Sequence, residues 1–193
     1  MINNFLLIPA AGKGSRSGLN YPKTLFKYKN NPILINIIKN VFKTNIKFSK
    51  VIIIVSPKGK NKIKECLIKY NLIQKCELII QHQPKGMADS VYQIKKSKYV
   101  NMYSSIYLIW GDLAYPDANS LNELYRLHIY NKNDFSFLTK KVQNPYTIVN
   151  RVNNKVVEVL ETKSSQKKIS YGERDTGIFV FKLNKIYKYL THI

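Results

Sequence analysis

The stretch from Leu7 to Leu25 constrains the fold of this chain more than any other segment. A strand-like apolar run, Phe5–Ile8, breaks there into a loop of small and basic residues that extends to Arg16, and a Pro22-Lys23 pair follows. Small residues allow backbone N–H groups to close around a phosphate chain, and the lysines and the arginine supply positive charge. The pattern therefore predicts a loop that follows a strand and binds a triphosphate.

Two better-known glycine-rich loops do not match this segment. A Walker A loop needs Gly, four residues and then Gly-Lys-Ser/Thr, and the segment has no such run. Gly12 and Gly14 fit the first two glycines of the dinucleotide-binding fingerprint, but Ser17 stands where the third is required. The longer pattern of two alanines, Gly-x-Gly-x-Arg and a downstream Pro-Lys is more specific. It resembles the signature of the nucleotidyltransferases that make nucleotide-diphosphate sugars and related activated compounds. The alternative is a basic strand-to-helix turn without a ligand.

The resemblance implies separate roles for the basic residues of this loop. Lys13 and Arg16 would contact the β- and γ-phosphates of a nucleotide and stabilise the pyrophosphate that leaves, and Lys23 would lie near the α-phosphate. We expect these three residues to be catalytic. The small residues that would surround the nucleotide are Ala10, Ala11, Gly12, Gly14 and Ser15.

Composition favours an ordinary globular enzyme. The 193 residues, of which 45% are apolar, suit one domain with a sizeable core. The apolar runs are strand-sized, and the composition of the first residues leads us to expect no secretory signal. Cys66 and Cys76 are the only cysteines, which argues against a disulfide framework and against a zinc site. A cytoplasmic location fits these features, without a membrane partner.

The net charge of +21 raises the possibility of nucleic-acid binding. Only four of the 32 basic residues are arginine, however, and arginine carries most base recognition and bidentate phosphate contacts. The lysines are spread along the chain among many Asn and Ile residues, as an AT-rich coding bias produces. We therefore expect no nucleic-acid partner, although a polyanionic substrate would benefit from the charge.

The first 130 residues alternate between strand-like and helical patterns. Buried strands are expected at Phe5–Ala11, Val51–Ser56, Glu77–Gln81 and Ser105–Trp110. Amphipathic helices are expected at Ile33–Phe42, Asn61–Tyr70, Asp89–Lys98 and Asn119–Tyr130, the last capped by Asn119 or Ser120. This alternation predicts a Rossmann-like, doubly wound α/β fold with a mainly parallel sheet and helices on both faces. Ligands bind such sheets beyond the carboxyl ends of the strands.

The second part of the chain has a different pattern. Short strands are expected at Phe135–Val142, Tyr146–Val152 and Val156–Leu160, with turns at Asn144-Pro145 and Asn153-Asn154. A polar loop at Thr162–Gly172, a strand at Gly177–Leu183 and a helix at Asn184–Leu190 complete the chain. The resemblance implies one nucleotidyltransferase domain over residues 1–193, of GT-A-like fold with a β-rich acceptor-side insertion. It also implies that the chain stops before a C-terminal strand and helix of the family.

The segment Gln81–Val91 ends the third strand and begins a helix. In the family this loop recognises the base, so Gln83 would hydrogen-bond the base edge, Gly86 would let the backbone approach the ring, and Met87 would line the nucleotide. An amide both donates and accepts hydrogen bonds, which suits a pyrimidine. The alternative is a polar loop that only caps a helix.

The Gly111-Asp112 pair follows the fourth strand. A carboxylate at this point is well placed to hold Mg²⁺ between the α-phosphate and an attacking phosphate. Gly-Asp after a strand is by itself usually only a turn, but behind a triphosphate loop Asp112 becomes the best candidate for a metal ligand. Members of the family commonly supply a second ligand from a later strand, and we expect this sequence to end before that strand.

Two further segments resemble the acceptor side of the family. Glu161 and Lys163 match its Glu-x-Lys pattern, in which the carboxylate accepts hydrogen bonds from sugar hydroxyls and the lysine pairs with the acceptor phosphate. Asp175-Thr176-Gly177 corresponds to a triplet that is often Asn-Thr-Gly. Aspartate keeps an acceptor but loses a donor and adds charge, so its contacts with the acceptor would differ.

The resemblance implies transfer of a nucleoside monophosphate from UTP, dTTP or CTP to a phosphorylated acceptor, with a sugar 1-phosphate favoured. Two alternatives stay open on the residues. Met87–Val91 also resembles the Arg-Ala-Asp-Ser-Val stretch of cytidylyltransferases that activate an isoprenoid-precursor phosphate, although the Arg is replaced by Met87. A regulatory domain that binds nucleotide without turnover is the alternative from another class. The number of subunits is not predicted.

Overall fold

The computed structural model describes residues 3–12, 18–83, 85–162 and 169–190. It divides into two compact units, which are described separately below. The first comprises Met1–Ser136 with Phe179–Ile193, and the second is Phe137–Ile178. In chain order the strands and helices are β1 (Asn4–Ala10), β2 (Lys27–Tyr28), β3 (Asn31–Pro32), α1 (Ile33–Val41), β4 (Lys50–Val55), α2 (Lys60–Lys69), β5 (Cys76–Ile80), α3 (Met87–Tyr92), β6 (Ser105–Ile109), α4 (Ala118–Tyr130), β7 (Phe135–Gln143), β8 (Thr147–Val152), β9 (Lys155–Glu161), β10 (Tyr171–Lys182) and α5 (Leu183–Leu190).

The central sheet has six strands in the order β5-β4-β1-β6-β10-β7, of which β5, β4, β1 and β6 lie wholly in the first unit. Strand β1 pairs in parallel with β4 and with β6, and β4 pairs in parallel with β5. Val51–Val55 and Ser105–Ile109 are buried throughout, as strands covered on both faces must be. The expected α/β fold with a mainly parallel sheet is confirmed.

The helices differ from the expectations mainly at their ends. The helix expected at Asp89–Lys98 is instead a six-residue α-helix, α3, that continues as a 3-10 turn over Gln93–Lys96. The Glu77 carboxylate accepts hydrogen bonds from the Ser97 hydroxyl and the Lys98 amide, which turns the chain away from a longer helix. The cap of α4 is Asp117, not Asn119 or Ser120, because its carboxylate accepts the Ser120 amide at 2.8 Å.

The second unit contains an antiparallel hairpin of β8 and β9. Its two-residue turn, Asn153-Asn154, has positive φ at both residues, 48° and 62°, as a type I′ turn requires. Strand β10 begins at Tyr171, six residues before the expected start, so Tyr171 and Gly172 of the expected loop belong to a strand. The middle of that loop, residues 163–168, lies outside the described residues. The sequence did not predict the start of this strand, because the residues there are polar. They contact the neighbouring strand through hydrogen bonds and an ion pair and not through apolar side chains.

No helix in the described ranges combines the length and the apolar character that crossing a lipid bilayer would require.

Candidate active site

Strand β1 lies between β4 and β6, and its carboxyl end leads into the predicted phosphate loop. Ala11 is buried in the core, whereas Gly12 is exposed and a Cβ added to it would meet no atom within 4 Å. The open space beside Gly12 is compatible with a ligand that approaches the backbone. Lys13, Gly14, Ser15 and Arg16 lie outside the described residues, so their roles stay predictions.

Lys23 and Asp112 are 89 positions apart in the sequence and meet in the structure. The Lys23 Nζ donates to Asp112 Oδ2 at 2.7 Å, and the two side chains are 52% and 44% exposed. The structure thus brings together the lysine expected near the α-phosphate and the carboxylate expected to hold the metal. The pair is open to solvent and can exchange its partners for those of a ligand.

The backbone next to Lys23 is fixed by packing. The amide of Leu25 donates to the carbonyl of Pro22 at 2.8 Å, which closes the 3-10 turn Lys23–Leu25. A Cβ on Gly59 would lie 2.9 Å from the Pro22 ring, so only glycine leaves room for this proline. Thr24 is buried and anchors the turn, while Lys23 remains at the surface.

Gly111 holds the turn that carries Asp112 close to β1. A Cβ at this position would lie 2.3 Å from the Pro9 carbonyl oxygen, a distance that real Cβ atoms do not adopt. A larger residue would therefore move Asp112 away from the end of β1. The sequence marked Gly111 only as a neighbour of the carboxylate, whereas the structure gives it a steric role.

The loop between β5 and α3 exposes the residues that were expected to recognise a base. Gly86 has φ 121° and ψ −175°, a conformation that residues with a Cβ essentially do not adopt. A Cβ at Gly86 would meet no atom within 4 Å, so backbone strain and not space requires glycine here. Gln83 and Met87 are also exposed, and a ligand can reach all three residues.

A buried hydrogen-bond network, which the sequence reasoning missed, supports this loop. Gln81 is 1% exposed, its Nε2 donates to Asp89 Oδ2 at 2.6 Å, and its Oε1 accepts the Ser90 hydroxyl at 3.0 Å. Burial raises the pKa of Asp89, but hydrogen bonds from Gln81, the Lys85 amide and Gln93 outweigh that effect and lower the pKa below its usual value. The sequence did contain a signal for this network, namely Gln81 at the end of a strand and Asp89 eight residues later.

The acceptor-side residues of the second unit are held by their own neighbours. Glu161 ends β9 and accepts a hydrogen bond from the Tyr146 hydroxyl. Lys163 lies outside the described residues. Both carboxylate oxygens of Asp175 accept hydrogen bonds, one from the Thr147 hydroxyl and the other from the Gly177 amide at 2.9 Å.

These contacts explain why aspartate suits position 175. Its side chain is 4% exposed and faces two donors, and a carboxylate offers an acceptor to each of them. An asparagine would need its oxygen at the Gly177 amide, and the Thr147 hydroxyl would then have to accept from its NH₂ group and no longer donate. Thr176 is also engaged, since its hydroxyl donates to the Leu138 carbonyl at 3.2 Å, and Gly177 has φ 78°.

The fit of a metal ion depends on Asp112. Among the residues that the structure describes, no group of three or more His, Cys, Asp or Glu side chains could hold a metal by themselves. Mg²⁺ does not need such a cluster, because it keeps several waters and is usually held by one or two carboxylates together with substrate phosphates. A single exposed carboxylate therefore fits Mg²⁺ that arrives with a nucleotide.

Comparisons with known proteins agree on one family. The model of the family described as "Nucleotidyl transferase" matches residues 7–192. The bifunctional protein GlmU of Buchnera aphidicola subsp. Schizaphis graminum is 31% identical over 196 residues, which cover 97% of this chain and 39% of that protein. The chain thus spans about two fifths of the length of the curated relatives it matches.

Solved structures of lower identity share the fold. A Bacillus anthracis protein assigned as a glucose-1-phosphate thymidylyltransferase superposes with a TM-score of 0.80 at 20% identity, covering 98% of this chain and 75% of that one. The 2-C-methyl-D-erythritol 4-phosphate cytidylyltransferase of Francisella tularensis has a TM-score of 0.65 at 18% identity, with 98% and 77% covered.

Proposed function

The chain belongs to the nucleotidyl transferase family, and we propose that it transfers a nucleoside monophosphate from a nucleoside triphosphate to a phosphorylated acceptor and releases pyrophosphate. The observation that carries the proposal is the contact between Lys23 and Asp112 beyond the carboxyl ends of β1 and β6. Ligands of parallel α/β sheets bind at this edge. A cation and a carboxylate there suit a substrate that brings phosphates and a divalent metal.

In the proposed reaction an oxygen of the acceptor phosphate attacks the α-phosphorus in line, and the bond to the β-phosphate oxygen breaks. The acceptor is already an anion, so catalysis needs alignment and charge stabilisation and no general base. Lys23 stabilises charge at the α-phosphate, and Lys13 and Arg16 stabilise the leaving pyrophosphate. Asp112 is the residue that would hold Mg²⁺, which when bound neutralises phosphate charge.

We propose a pyrimidine nucleotide and a sugar 1-phosphate as substrates. Gln83 carries an amide that can pair with the edge of a pyrimidine, and Gly86 leaves the ring space beside the backbone. Glu161, at the end of β9, is the residue proposed to accept hydrogen bonds from sugar hydroxyls, together with Lys163 and the Asp175-Thr176-Gly177 segment. The substrates in the names of the relatives above are those of the relatives, and they are compatible with these proposals for this chain.

A second candidate is a cytidylyltransferase that activates a non-sugar phosphate with CTP. It is favoured by Met87–Val91, which resembles the corresponding stretch of such enzymes. It is also compatible with the likeness in fold to the Francisella cytidylyltransferase. The two candidates share the phosphate loop and Asp112 and differ in nucleotide and acceptor.

A pyrophosphate-release screen tests both candidates. CTP, UTP, dTTP, ATP and GTP are each combined with sugar 1-phosphates and with small non-sugar phosphates in the presence of Mg²⁺. We expect release with one pyrimidine nucleotide and a sugar 1-phosphate, whereas CTP with a non-sugar phosphate would favour the second candidate. Nucleotide binding by calorimetry without release in any combination would contradict both and leave a regulatory domain.

Variants connect any turnover to this site. Lys23→Ala removes a charge-stabilising donor and is expected to lower kcat by about 10²–10³-fold. Lys27→Ala is the matched control, because Lys27 is an exposed lysine four residues away in the same surface segment. Equal activity of the two variants would remove Lys23 from the mechanism.

A further inference from the structure

We infer that Asp89 is a positioning residue for the base loop, defined here by its described residues His82, Gln83, Lys85 and Gly86; the inference rests on the proposed nucleotide transfer. Asp89 lies in the first turn of α3, on the helix side of the loop. We assign it no contact with the nucleotide. Its role is to fix the backbone that would meet the base.

Asp89 connects the two ends of the base loop. Its Oδ2 accepts the Gln81 Nε2 at 2.6 Å and the Lys85 backbone amide at 3.2 Å, while its Oδ1 accepts the Gln93 Nε2 at 2.9 Å. Gln81 follows β5 directly, and its own amide donates to the carbonyl of Val55 on β4. One carboxylate thus ties the loop to the sheet on one side and to α3 on the other.

Ser90 completes the connection. Its hydroxyl donates to Gln81 Oε1 at 3.0 Å and lies 3.3 Å from the carbonyl of Gly86, to which its amide also donates at 3.2 Å. Gly86 is therefore held from the helix side in its glycine-only conformation. The neighbouring residues of the loop are exposed, so few other contacts can fix them.

A carboxylate is the group that this arrangement requires. Every described partner of Asp89 donates to it, so both of its oxygens must accept. An asparagine of the same shape has one oxygen and one NH₂ group. With the NH₂ group towards Gln81 and Lys85 it faces two donors, and with the NH₂ group towards Gln93 its oxygen keeps those two hydrogen bonds only as neutral ones. Asp89→Asn therefore weakens the connection without opening a cavity, because hydrogen bonds to a charged carboxylate are about twice as strong as neutral ones.

The test measures the loop and the nucleotide separately. Amide hydrogen exchange at Lys85, without nucleotide, reports the hydrogen bond to Asp89 itself. Steady-state pyrophosphate release gives KM and kcat, and calorimetry gives the nucleotide dissociation constant without acceptor. For Asp89→Asn we expect exchange at Lys85 and both KM and the dissociation constant to rise about tenfold or more, with kcat within about threefold.

Two control variants separate this role from a general effect on stability. Asp117→Asn makes the same chemical change at the start of α4, where Asp117 accepts hydrogen bonds from Ser120, and it should leave all of these quantities unchanged. Gln93→Ala removes only the partner of Oδ1 and should leave exchange at Lys85 unchanged. If Asp89→Asn does not fold, Ser90→Ala, which frees Gln81 Oε1, should produce a smaller change in the same direction.

Each outcome either supports the inference or overturns it. Unchanged exchange at Lys85 in the folded Asp89→Asn variant overturns it, as does faster exchange with nucleotide affinity equal to wild type. A large fall in kcat at unchanged KM would also overturn it, because it would indicate a contact with the reacting groups. If wild type binds nucleotide but releases no pyrophosphate, the proposed transfer fails, and exchange and affinity still decide the role of Asp89.

Discussion

The contact between Lys23 and Asp112 affects the order in which a metal ion and a nucleotide would bind. The Lys23 ammonium group lies 2.7 Å from the Asp112 carboxylate. A cation that binds Asp112 must then compete with Lys23, whereas a triphosphate would offer Lys23 new partners. The metal is therefore expected to bind weakly to the free protein and more tightly together with nucleotide.

Lys23→Met should raise the affinity of the free protein for a divalent cation. Exposed ion pairs are worth about 0.2–1 kcal/mol, so release of Asp112 should tighten Mn²⁺ binding by a factor of about 1.4 to 5. Calorimetric or spectroscopic titration with Mn²⁺, without nucleotide, measures the change. Lys27→Met removes the same charge from an exposed position and is the control. An equal gain in both variants would mean that net charge and not the contact with Asp112 sets the affinity.

At the scale of single residues the sequence predicted the family but not the hydrogen-bond partners of the individual residues. The family resemblance of Ala10–Lys23 is confirmed, and Lys23 lies 2.7 Å from Asp112, while the roles of both residues stay predictions. The sequence did not predict the role of Asp89, because its partners depend on how the loop folds back on β5. Asp175 was recognised as a departure from the family, but only the donors of Thr147 and Gly177 explain it.

Among the elements, the contact between β8 and β10 in the second unit gives a test of stability. Arg151 binds Glu173 through two nitrogens at 2.8 and 2.7 Å. The hydrogen bonds from Arg151 lower the pKa of Glu173 from 4.5 to about 2, against the opposing effect of burial. Because the folded-state pKa is below the unfolded one, this contribution is complete above about pH 4.5 and is lost as the pH falls towards 2.

Arg151→Met should lower the free energy of unfolding by about 1 kcal/mol at pH 7, a value that allows for solvent screening of a partly exposed pair. The difference from wild type should shrink as the pH falls from 4.5 towards 2. Denaturant unfolding across this range measures it. Arg126→Met is the matched control, since Arg126 pairs with Glu123 on an exposed face of α4 and its loss should have little effect. A difference that does not change with pH would contradict the assignment to Glu173.

Apolar patterning decided which elements could be predicted. Strands β1, β4, β5 and β6 lie within one residue of the expected bounds, because they are short apolar runs in a covered sheet. The first half of β10 was missed, because a strand whose partners are polar carries no apolar run. The true cap of α4 lies two or three residues before the expected ones, since Asp, Asn and Ser are all good caps and only the hydrogen bond identifies one of them.

For the whole molecule, the net charge of +21 has two consequences of opposite sign. Like charges repel one another in the folded state and lower its stability, while the same positive field attracts a nucleoside triphosphate. Raising NaCl from about 20 mM to about 300 mM shortens the screening length from roughly 20 Å to roughly 6 Å. We therefore expect Tm to rise by a few degrees and KM for the nucleotide to rise over the same range.

Thermal unfolding and pyrophosphate release at matched NaCl concentrations measure the two effects. Sulfate salts are excluded, because sulfate resembles phosphate and could stabilise the protein by binding to the phosphate loop. KCl should reproduce the effect of NaCl, whereas sucrose, which does not screen charge, should leave KM unchanged. A Tm that falls with salt would mean that attractive pairs, such as Arg151 with Glu173, outweigh the repulsion among the lysines. A KM that is independent of salt would mean that nucleotide affinity depends on short-range contacts at the site and not on the overall charge.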